Sequence, residues 1–249
     1  MLIRRLKELC LQARDFIRLS EMQMEAYPIH SKVFPKYKDC YRGKSVVVFG
    51  GGPSLDKYKP IDGAVQIGVN GTFLSDRVEL DYLFYQDYLT AERQEAMNNY
   101  RVGKCKKFYG IHYMDLKAVI SIPDAEKAKA ERYFFYDLPT QPFPFDFTLD
   151  ISAKPFITYS STIFVPLQFA LYTHPKMIYI VGCDCSQDGH SSCYKTFSLN
   201  PAIKRFDDMD NIVNGWKKFK AFQEAFYPDI EMVSINPVGL KGMFKDVYQ

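Results

Sequence analysis

Three consecutive glycines, Gly50 to Gly52, form a turn whose composition suits phosphate binding. They follow the apolar run 46–49, which predicts a strand buried on both faces. Ser54 then stands where a short helix would begin. Glycine lets a ligand approach the backbone closely, and doubly wound folds present backbone N–H groups to phosphate at such a turn. We therefore predict a nucleotide site here, with a plain tight turn as the alternative.

The turn matches neither of the two common phosphate motifs. The P-loop places its lysine and hydroxyl residue after the glycines, whereas Lys44 and Ser45 precede the strand in this chain. The dinucleotide fingerprint requires a further glycine three residues after its second, and Ser54 or Leu55 occupies that area. The turn by itself therefore does not identify the nucleotide.

Polar residues follow the next two predicted strands. Residues 65–69 predict a strand that ends at Asn70, and residues 82–85 predict a strand that ends at Gln86 and Asp87. Ligands of open α/β sheets bind beyond the carboxyl ends of the strands, so we expect these side chains on the same edge as the glycine turn. Asn70 also precedes a glycine, and an Asn-Gly pair is typical of a turn without other function. Both interpretations of Asn70 stay open.

A cluster of hydroxyl residues precedes a strongly apolar run at 163–171, which predicts a buried helix. The cluster consists of Ser160, Ser161 and Thr162. Such residues suit a helix N-cap, and the free N–H groups of a helix start also suit a phosphate. The sequence therefore predicts a second anion-binding element at this helix start.

A polar loop follows the predicted buried strand at 177–181 and should also lie on the ligand edge. Its candidate site residues are Gly182, Asp184, Cys185 and His190. His190 is a candidate general base, because only histidine titrates near neutrality without perturbation. A zinc set could be drawn from Cys183, Cys185, His190 and Cys193. Structural zinc sites normally begin with two cysteines separated by two to four residues, so we predict no metal site.

The acidic run Asp207–Asp210 precedes an amphipathic segment that predicts a helix. Acidic residues at a helix start stabilise the helix dipole, which is the simpler explanation. Two aspartates separated by one residue are also how many nucleotide-sugar transferases hold a divalent ion on the diphosphate. A Mg²⁺ ion bound by this run is therefore the alternative.

Composition limits the class of protein. The chain has 249 residues, of which 47% are hydrophobic, and this allows one large domain. A net charge of +3 with no long basic block predicts no nucleic-acid partner. No segment reaches the ~18 apolar residues of a transmembrane helix. Six cysteines are few for a disulfide scaffold, so we predict a reduced, cytoplasmic protein.

Residues 1–43 predict an N-terminal amphipathic helix, ending near residue 27, and a linker beginning at Pro28. Its basic face could lie on an anionic membrane, at the inner face of that membrane, or the helix could pack on its own domain or a sister subunit. Residues 44–249 predict a single nucleotide-binding α/β domain. Within it, an aromatic and proline-rich insertion at about 111–156 predicts a lid-like element.

Five short motifs occur in a characteristic order along the chain. They are G-G-P-S-L after the first strand, V-N-G-T-F after the second, Y-Q-D after the third, I-T-Y-S-S before the buried helix, and I-Y-I-V-G-C-D-C-S-Q-D-G-H-S. This order resembles the bacterial lipooligosaccharide sialyltransferases, which use CMP-sialic acid. It also resembles the Rossmann-like domain of the motility-associated flagellin glycosyltransferases and their relatives, which include a pterin pyrophosphokinase. The resemblance covers about residues 44–240.

The resemblance implies a Rossmann-like, doubly wound and mostly parallel sheet that binds a CMP- or CDP-linked sugar. It implies nucleotide-binding roles for Gly51, Gly52, Ser54, Asn70, Gln86, Ser160, Ser161, Gly182, Asp184 and Cys185. The family's arginine before the I-T motif is absent here, where Pro155 or Phe156 stands, and so is its histidine before the last helix. The general base would instead be His190, Asp208 or Asp210.

The function expected from the resemblance is a glycosyltransferase of bacterial surface glycan synthesis that needs no bound cofactor. Its partners would be a nucleotide-sugar donor and a glycan or lipid-linked acceptor. One alternative is a pterin-type pyrophosphokinase, which would need ATP and Mg²⁺. The other is a non-catalytic partner in a glycan assembly complex that docks through residues 1–27.

Overall fold

Nine parallel strands and one antiparallel strand form a single sheet in the computed structural model, which describes residues 2–86, 91–114, 117–120, 130–137, 147–185 and 209–249. The strands are β1 (Ser45–Phe49), β2 (Val65–Val69), β3 (Tyr82–Tyr85), β4 (Lys106–Met114), β5 (Lys117–Ile120), β6 (Glu131–Asp137), β7 (Phe156–Thr158), β8 (Met177–Val181), β9 (Glu231–Ile235) and β10 (Lys245–Val247). They lie in the order β10-β9-β8-β1-β2-β3-β4-β6-β7, and β5 pairs antiparallel with β4. The predicted α/β class with a mostly parallel, Rossmann-like sheet is confirmed.

Strand β1 lies inside the sheet, with later strands added on both of its sides. The chain first places β2, β3, β4, β6 and β7 on one side, and then places β8, β9 and β10 on the other. Val46 of β1 therefore pairs with Val65 of β2 on one side and Ile178 of β8 on the other. The winding direction reverses between β1 and β8. In open α/β sheets such a switch point, beyond the carboxyl ends of the strands, is where ligands bind.

The continuous apolar sequence of β1 is explained by burial of both faces of the sheet. Val46 and Val48 belong to the larger core cluster, whereas Val47 and Phe49 belong to a second cluster. All four side chains are fully buried. Because successive residues of a strand point to opposite faces, a strand covered on both sides requires apolar residues at every position. Each such burial contributes about 1.5–3 kcal/mol relative to exposure.

The α-helices of the described chain are α1 (Leu2–Val33), α2 (Ala91–Asn99), α3 (Phe164–Tyr172) and α4 (Met209–Phe226). Helix α3 lies against β1, β2 and β7, and all of its residues are buried. Pro166 falls in its first turn, where a missing N–H does little harm. Trp216 of α4 joins the larger core cluster, whereas Met97 of α2 joins the cluster on the other face. Helices thus cover both faces of the sheet.

Helix α1 is longer than predicted, because it continues through Pro28 to Val33 instead of ending near residue 27. Met22, Ala26 and His30 are fully buried against the domain, which holds this part of the helix in place. Pro28 is exposed, so the backbone carbonyl that loses its N–H partner lies on the water side. No described helix, α1 included, is long and apolar enough to cross a membrane.

Much of the predicted insertion at 111–156 belongs to the sheet itself. Strand β4 continues to Met114, β5 pairs with it, and β6 lies parallel to β4 on its outer side. Tyr133, Phe134 and Phe135 of β6 are buried, so these aromatic residues form core and not a lid. The rest of the predicted lid-like element, residues 115–116, 121–129 and 138–146, lies outside the described residues.

Candidate functional site

The glycine turn and the loop after β8 leave the sheet side by side at the switch point. Phe49, the last residue of β1, pairs with Val181, the last residue of β8. The turn Gly50–Gly52 and the loop 182–185 therefore share one edge, as predicted from their positions directly after strands. Four of the candidate site residues, Gly52, Ser54, Gly182 and Asp184, meet here.

Two amides of the glycine turn donate to the protein's own carbonyl groups. Gly50 N–H donates to Val181 O at 2.8 Å, and Gly52 N–H donates to Gly182 O at 2.7 Å. A phosphate would have to displace these bonds, and buried backbone groups are seldom left unpaired. In this structure the turn fastens β1 to β8, which is the alternative that the sequence left open.

Asp184 occupies the position where a ligand hydroxyl or phosphate would meet Ser54. Its carboxylate accepts a hydrogen bond from Ser54 N–H at 2.8 Å and another from the Ser54 hydroxyl. Both residues are buried. Ser54 was expected at the start of a short helix, but residues Pro53–Lys57 form only a short 3₁₀ turn that begins after Gly52 and has no side-chain cap. Ser54 is a partner of Asp184 instead.

Close backbone approach explains why the loops at the switch point require glycine. A Cβ atom on Gly182 would lie 2.3 Å from Gly50 O, and the φ of Gly182 is +67°. A Cβ atom on Gly52 would lie 2.6 Å from Asp184 Oδ2. On the far side of the loop, Gly239 N–H donates to Asp184 O at 2.6 Å. These glycines are explained by contacts within the protein.

The two cysteines of the loop are free, partly buried thiols. Burial, with the nearby Cys185 and Asp184 groups, raises the pKa of Cys183 well above its usual value. Burial likewise raises the pKa of Cys185 to about 12, although the Trp216 indole N–H beside the sulfur opposes this shift. Thiols with such pKa values are neutral at pH 7, whereas nucleophiles and metal ligands act as thiolates. Among the described residues no cluster of three His, Cys, Asp or Glu side chains could hold a metal ion.

A small cavity of about 10 Å³ lies behind the Ser54–Asp184 pair. Its lining includes Cys183 and Ser234, together with apolar residues of β8 and β9. The Ser234 hydroxyl is buried and has no hydrogen-bond partner in the described chain. The volume is about that of one water molecule, so the cavity is far too small for a nucleotide.

A second group of site residues meets around Asn70, at the carboxyl ends of β2 and β3. Gln86 N–H donates to Asn70 Oδ1 at 3.1 Å, and Asn70 Nδ2 donates to Thr162 Oγ1 at 3.3 Å. The φ of Asn70 is +43°, a left-handed conformation that asparagine tolerates better than most residues. One side chain thus connects the ends of two strands to the segment that precedes α3.

The Gln86 side chain lies over Gly110, where a Cβ atom would come 2.9 Å from Gln86 Cγ. Its Nε2 atom is buried and has no hydrogen-bond partner within the described residues. A buried amide donor left in this way costs about 1–3 kcal/mol. Such a donor beside the Asn70 group is a candidate for hydrogen bonding to a ligand. Asp87, the other residue expected at this strand end, lies outside the described residues.

Ser160 lies in a polar network between β6, β7 and α4. Asp137 accepts hydrogen bonds from Ser160 N–H at 2.6 Å and from Thr158 Oγ1 at 2.9 Å. Asn211 Nδ2 donates to Ser160 Oγ at 2.9 Å. Because the Ser160 hydroxyl accepts this bond, its own O–H can donate to another acceptor. The φ of Ser160, +53°, is fixed by this network.

The hydroxyl cluster does not cap α3, contrary to the sequence prediction. The residue at the N-cap position is Ile163, with no side-chain hydrogen bond, and Phe164 and Val165 donate to Ser161 O and Thr162 O. Ser160 and Thr162 instead bond to Asn211 and Asn70. Ser161 is half-buried beside them.

One of the three candidate bases lies within the described residues. Asp210 is exposed in the first turn of α4, next to Asn211, which bonds to Ser160. His190 and Asp208 lie outside the described residues. Asp210 therefore borders the same network that holds Ser160.

Sequence reasoning missed Asp137, Thr162 and Asn211 as site residues. Asp137 is the last residue of β6, so a polar residue at a strand end was available as a signal once β6 was recognised. Thr162 belonged to the recognised hydroxyl cluster, and Asn211 follows directly on the acidic run.

Comparisons with known protein families and curated proteins assign neither a family nor a function to the chain. No protein-family model matches the chain, and a search of curated proteins finds no significant match.

Proposed function

We propose that the chain is a glycosyltransferase that binds a CMP- or CDP-linked sugar along the carboxyl edge of its sheet. The observation that carries the proposal is the Asn70 group. Asn70 draws together the ends of β2 and β3 and the segment before α3, three places where the sequence independently predicted site residues. All three lie on the edge where open α/β sheets bind ligands.

Two features favour a nucleotide-linked ligand at this group. Gln86 provides a buried amide donor that has no partner in the described chain, and Ser160 provides a hydroxyl whose proton can be donated. Phosphate and sugar oxygens accept from such donors. The ligand would lie over β2, β3 and α3, because two amides of the glycine turn, those of Gly50 and Gly52, are already bonded to β8 and its loop.

In the proposed reaction an acceptor hydroxyl attacks the anomeric carbon of the donor sugar. The bond between that carbon and the nucleotide phosphate oxygen breaks, and its electron pair leaves with the phosphate. A base takes the proton of the acceptor hydroxyl, and donors such as Ser160 stabilise the departing phosphate. Asp210, His190 and Asp208 are the candidate bases, and Asp210 borders the Ser160 network.

Thermal unfolding with a nucleotide panel tests this proposal. The panel contains CMP, CDP, UDP, GDP, ATP and S-adenosylmethionine, each with and without Mg²⁺. A ligand at ~100 times its dissociation constant adds about 2.7 kcal/mol of stability. We expect cytidine nucleotides to stabilise the chain without metal. Stabilisation only by ATP with Mg²⁺ would favour the pyrophosphokinase, and no stabilisation by any nucleotide would overturn both.

A matched pair of variants locates the site. Asn70→Asp keeps the acceptor for Gln86 N–H but adds a negative charge and removes the Nδ2 donor, so nucleotide affinity should fall at least about tenfold. Asn99→Asp makes the same change at the exposed end of α2 and should leave affinity unchanged. Equal affinities of the two variants would remove Asn70 from the site.

A non-catalytic partner in a glycan assembly complex is the second candidate. The hydrogen bonds at the switch point favour it, because Asp184 and two backbone carbonyls already accept from backbone N–H groups that a phosphate would use. This candidate predicts no stabilisation by any nucleotide. It also predicts tight association with a glycan-synthesis enzyme, lost when residues 1–27 are deleted.

A further inference from the structure

The first half of α1 projects beyond the domain. Every described side chain from Arg5 to Ile17 is exposed, and among the described side chains Leu19 is the first of this helix that packs against the core. Helices of this length without tertiary contacts are marginally stable in water. A surface that covered this half of the helix would therefore stabilise it.

An exposed apolar stripe runs along α1 from its projecting half into the half that packs on the domain. Its large members are Leu6, Leu9, Phe16, Ile17, Met24 and Tyr27, and Ala13 and Ser20 are its small members. The exposed fractions of the large members run from 53% for Leu6 to 77% for Met24. With 3.6 residues per turn, these positions fall on one side of the helix, away from Met22, Ala26 and Val33, which pack on the domain.

We propose that a second copy of this chain covers the stripe, with the two α1 helices antiparallel. The first argument is the spacing of the stripe residues along the sequence, which is symmetric about a point between Phe16 and Ile17. Leu6 corresponds to Tyr27, Leu9 to Met24, Ala13 to Ser20, and Phe16 to Ile17. A two-fold antiparallel pair places each of these residues opposite its counterpart, because the same surface serves both copies.

The distribution of charge is the second argument for the antiparallel orientation. Residues 4–18 carry five basic and two acidic residues, whereas residues 19–27 carry Glu21, Glu25 and no basic residue. An antiparallel pair brings the basic half of each helix beside the acidic part of the other. It also opposes the two helix dipoles, which is favourable. A parallel pair would place like charges together.

The size of the stripe is sufficient for a specific dimer. The six large side chains, at the exposed fractions observed, offer roughly 600 Å² per chain. A symmetric pair would bury on the order of 1,200 Å² in total, the lower end of the range for stable protein–protein interfaces.

Light scattering and sedimentation of the full chain over a wide concentration range test the proposal. We expect a dimer whose dissociation constant rises at least about tenfold in Leu9→Glu, because a charge would be buried in an apolar interface. Leu11→Glu is the matched control, since Leu11 is 49% exposed on another side of the same helix. It should leave the dimer intact. A monomer at all concentrations, or a dimer equally resistant to both changes, would overturn the proposal.

Cross-linking tests the orientation. In a Cys10→Ser/Cys40→Ser background, which removes two exposed thiols, Leu9→Cys/Met24→Cys should form a covalent dimer on mild oxidation. Leu9→Cys alone should not, because disulfide geometry requires close Cα atoms. Cross-linking of the single variant would show a parallel pair and reject the antiparallel one. Flotation with phosphatidylserine vesicles distinguishes a membrane from a second copy of the chain. Vesicle binding by a chain that is monomeric in solution would assign the stripe to a membrane and overturn the dimer.

Discussion

Asp184 accepts hydrogen bonds from both the backbone N–H and the hydroxyl of Ser54, across the topological switch point of the sheet. Both residues are buried, with exposed fractions of 5% for Asp184 and 6% for Ser54. The pair lies beyond the carboxyl ends of β1 and β8, the position where open α/β sheets commonly bind a ligand. It therefore provides stability at a place where the sequence predicted binding.

Asp184→Asn should lower the free energy of unfolding by about 2–3 kcal/mol, because the amide presents a donor to the two buried donors of Ser54. Chemical unfolding measures this loss. Asp150→Asn is the matched control: Asp150 accepts from Ser152 N–H and Ser152 Oγ in the same pattern, but both residues lie at the surface. That change should cost about 0.5 kcal/mol or less. Equal losses of unfolding free energy in the two variants would mean that burial of the Ser54–Asp184 pair adds nothing to its contribution to stability.

Gly182→Ala should be more destabilising than Gly43→Ala, although both glycines have positive φ. Their φ values are +67° and +76°, so the two changes share the cost of a left-handed backbone, about 1–2 kcal/mol. The added Cβ meets nothing within 4 Å at Gly43 but lies 2.3 Å from Gly50 O at Gly182. The clash should add about 1–3 kcal/mol. Thermal unfolding of the two variants measures the difference, and equal shifts would refute close packing at the switch point.

The sequence predicted the strands that consist of a short, buried apolar segment. Strands β2, β3 and β8 have the predicted bounds, because each is a short, mainly apolar segment that ends in polar or glycine residues. Strand β10, Lys245–Val247, has no such run and becomes a strand only by pairing with β9. Strand β6 was hidden by its aromatic, proline-rich surroundings. Its recognition depends on pairing with β4, which is distant in sequence.

The sequence predicted which edge of the sheet would carry the candidate site, but it did not predict the contacts between the site residues. Asn70 and Gln86 were predicted on one edge because each follows a predicted strand, and Ser160 was predicted at the start of a buried helix. Whether the glycine amides face a ligand or β8 depends on a contact between segments about 130 residues apart in sequence, and no local pattern encodes it. The role of Asp137 likewise follows from the β6–β7 register, in which Asp137 pairs with Thr158.

His30 should make the protein less stable as the pH falls from 6.5 towards 4. The ring is fully buried, with Nδ1 bonded to Ile151 O and Nε2 accepting from Phe134 N–H, each at 2.8 Å. Burial lowers the pKa of His30 from 6.5 to about 4. Between these pH values the histidine is protonated in the unfolded chain but neutral in the folded chain. Stability is therefore fully present above pH 6.5, declines below it, and levels off near pH 4. The loss approaches roughly 3 kcal/mol.

Chemical unfolding across this pH range, compared between variants, isolates the histidine. His30→Gln can reproduce both hydrogen bonds without titrating, so its stability should change less with pH than that of the parent chain. His174→Gln is the control, because His174 pairs with Asp229 near the surface. That variant should keep the full decline between pH 6.5 and 4. Identical pH profiles of the parent chain and His30→Gln would assign the decline to other groups.

Gln86 and Gln168 should respond in opposite directions to the same substitution. Gln168 is buried, and its side-chain amide makes four hydrogen bonds. It accepts from Thr148 N–H and Ile157 N–H and donates to Ile157 O and Phe164 O. Gln168→Met should therefore lower the free energy of unfolding by at least about 2 kcal/mol. Gln86→Met removes a buried donor that has no partner in the described chain, and should raise stability by about 1 kcal/mol.

The same Gln86→Met variant connects stability to function. If the buried donor is retained for a ligand, the variant should gain stability and also lose at least about tenfold in affinity for the nucleotide that stabilises the parent chain. Unfolding with and without that nucleotide measures both quantities on one sample. A gain in stability with unchanged affinity would show that the ligand does not reach Gln86, and would move the site towards Ser160. A loss of stability would mean that Gln86 has a structural role in the folded chain.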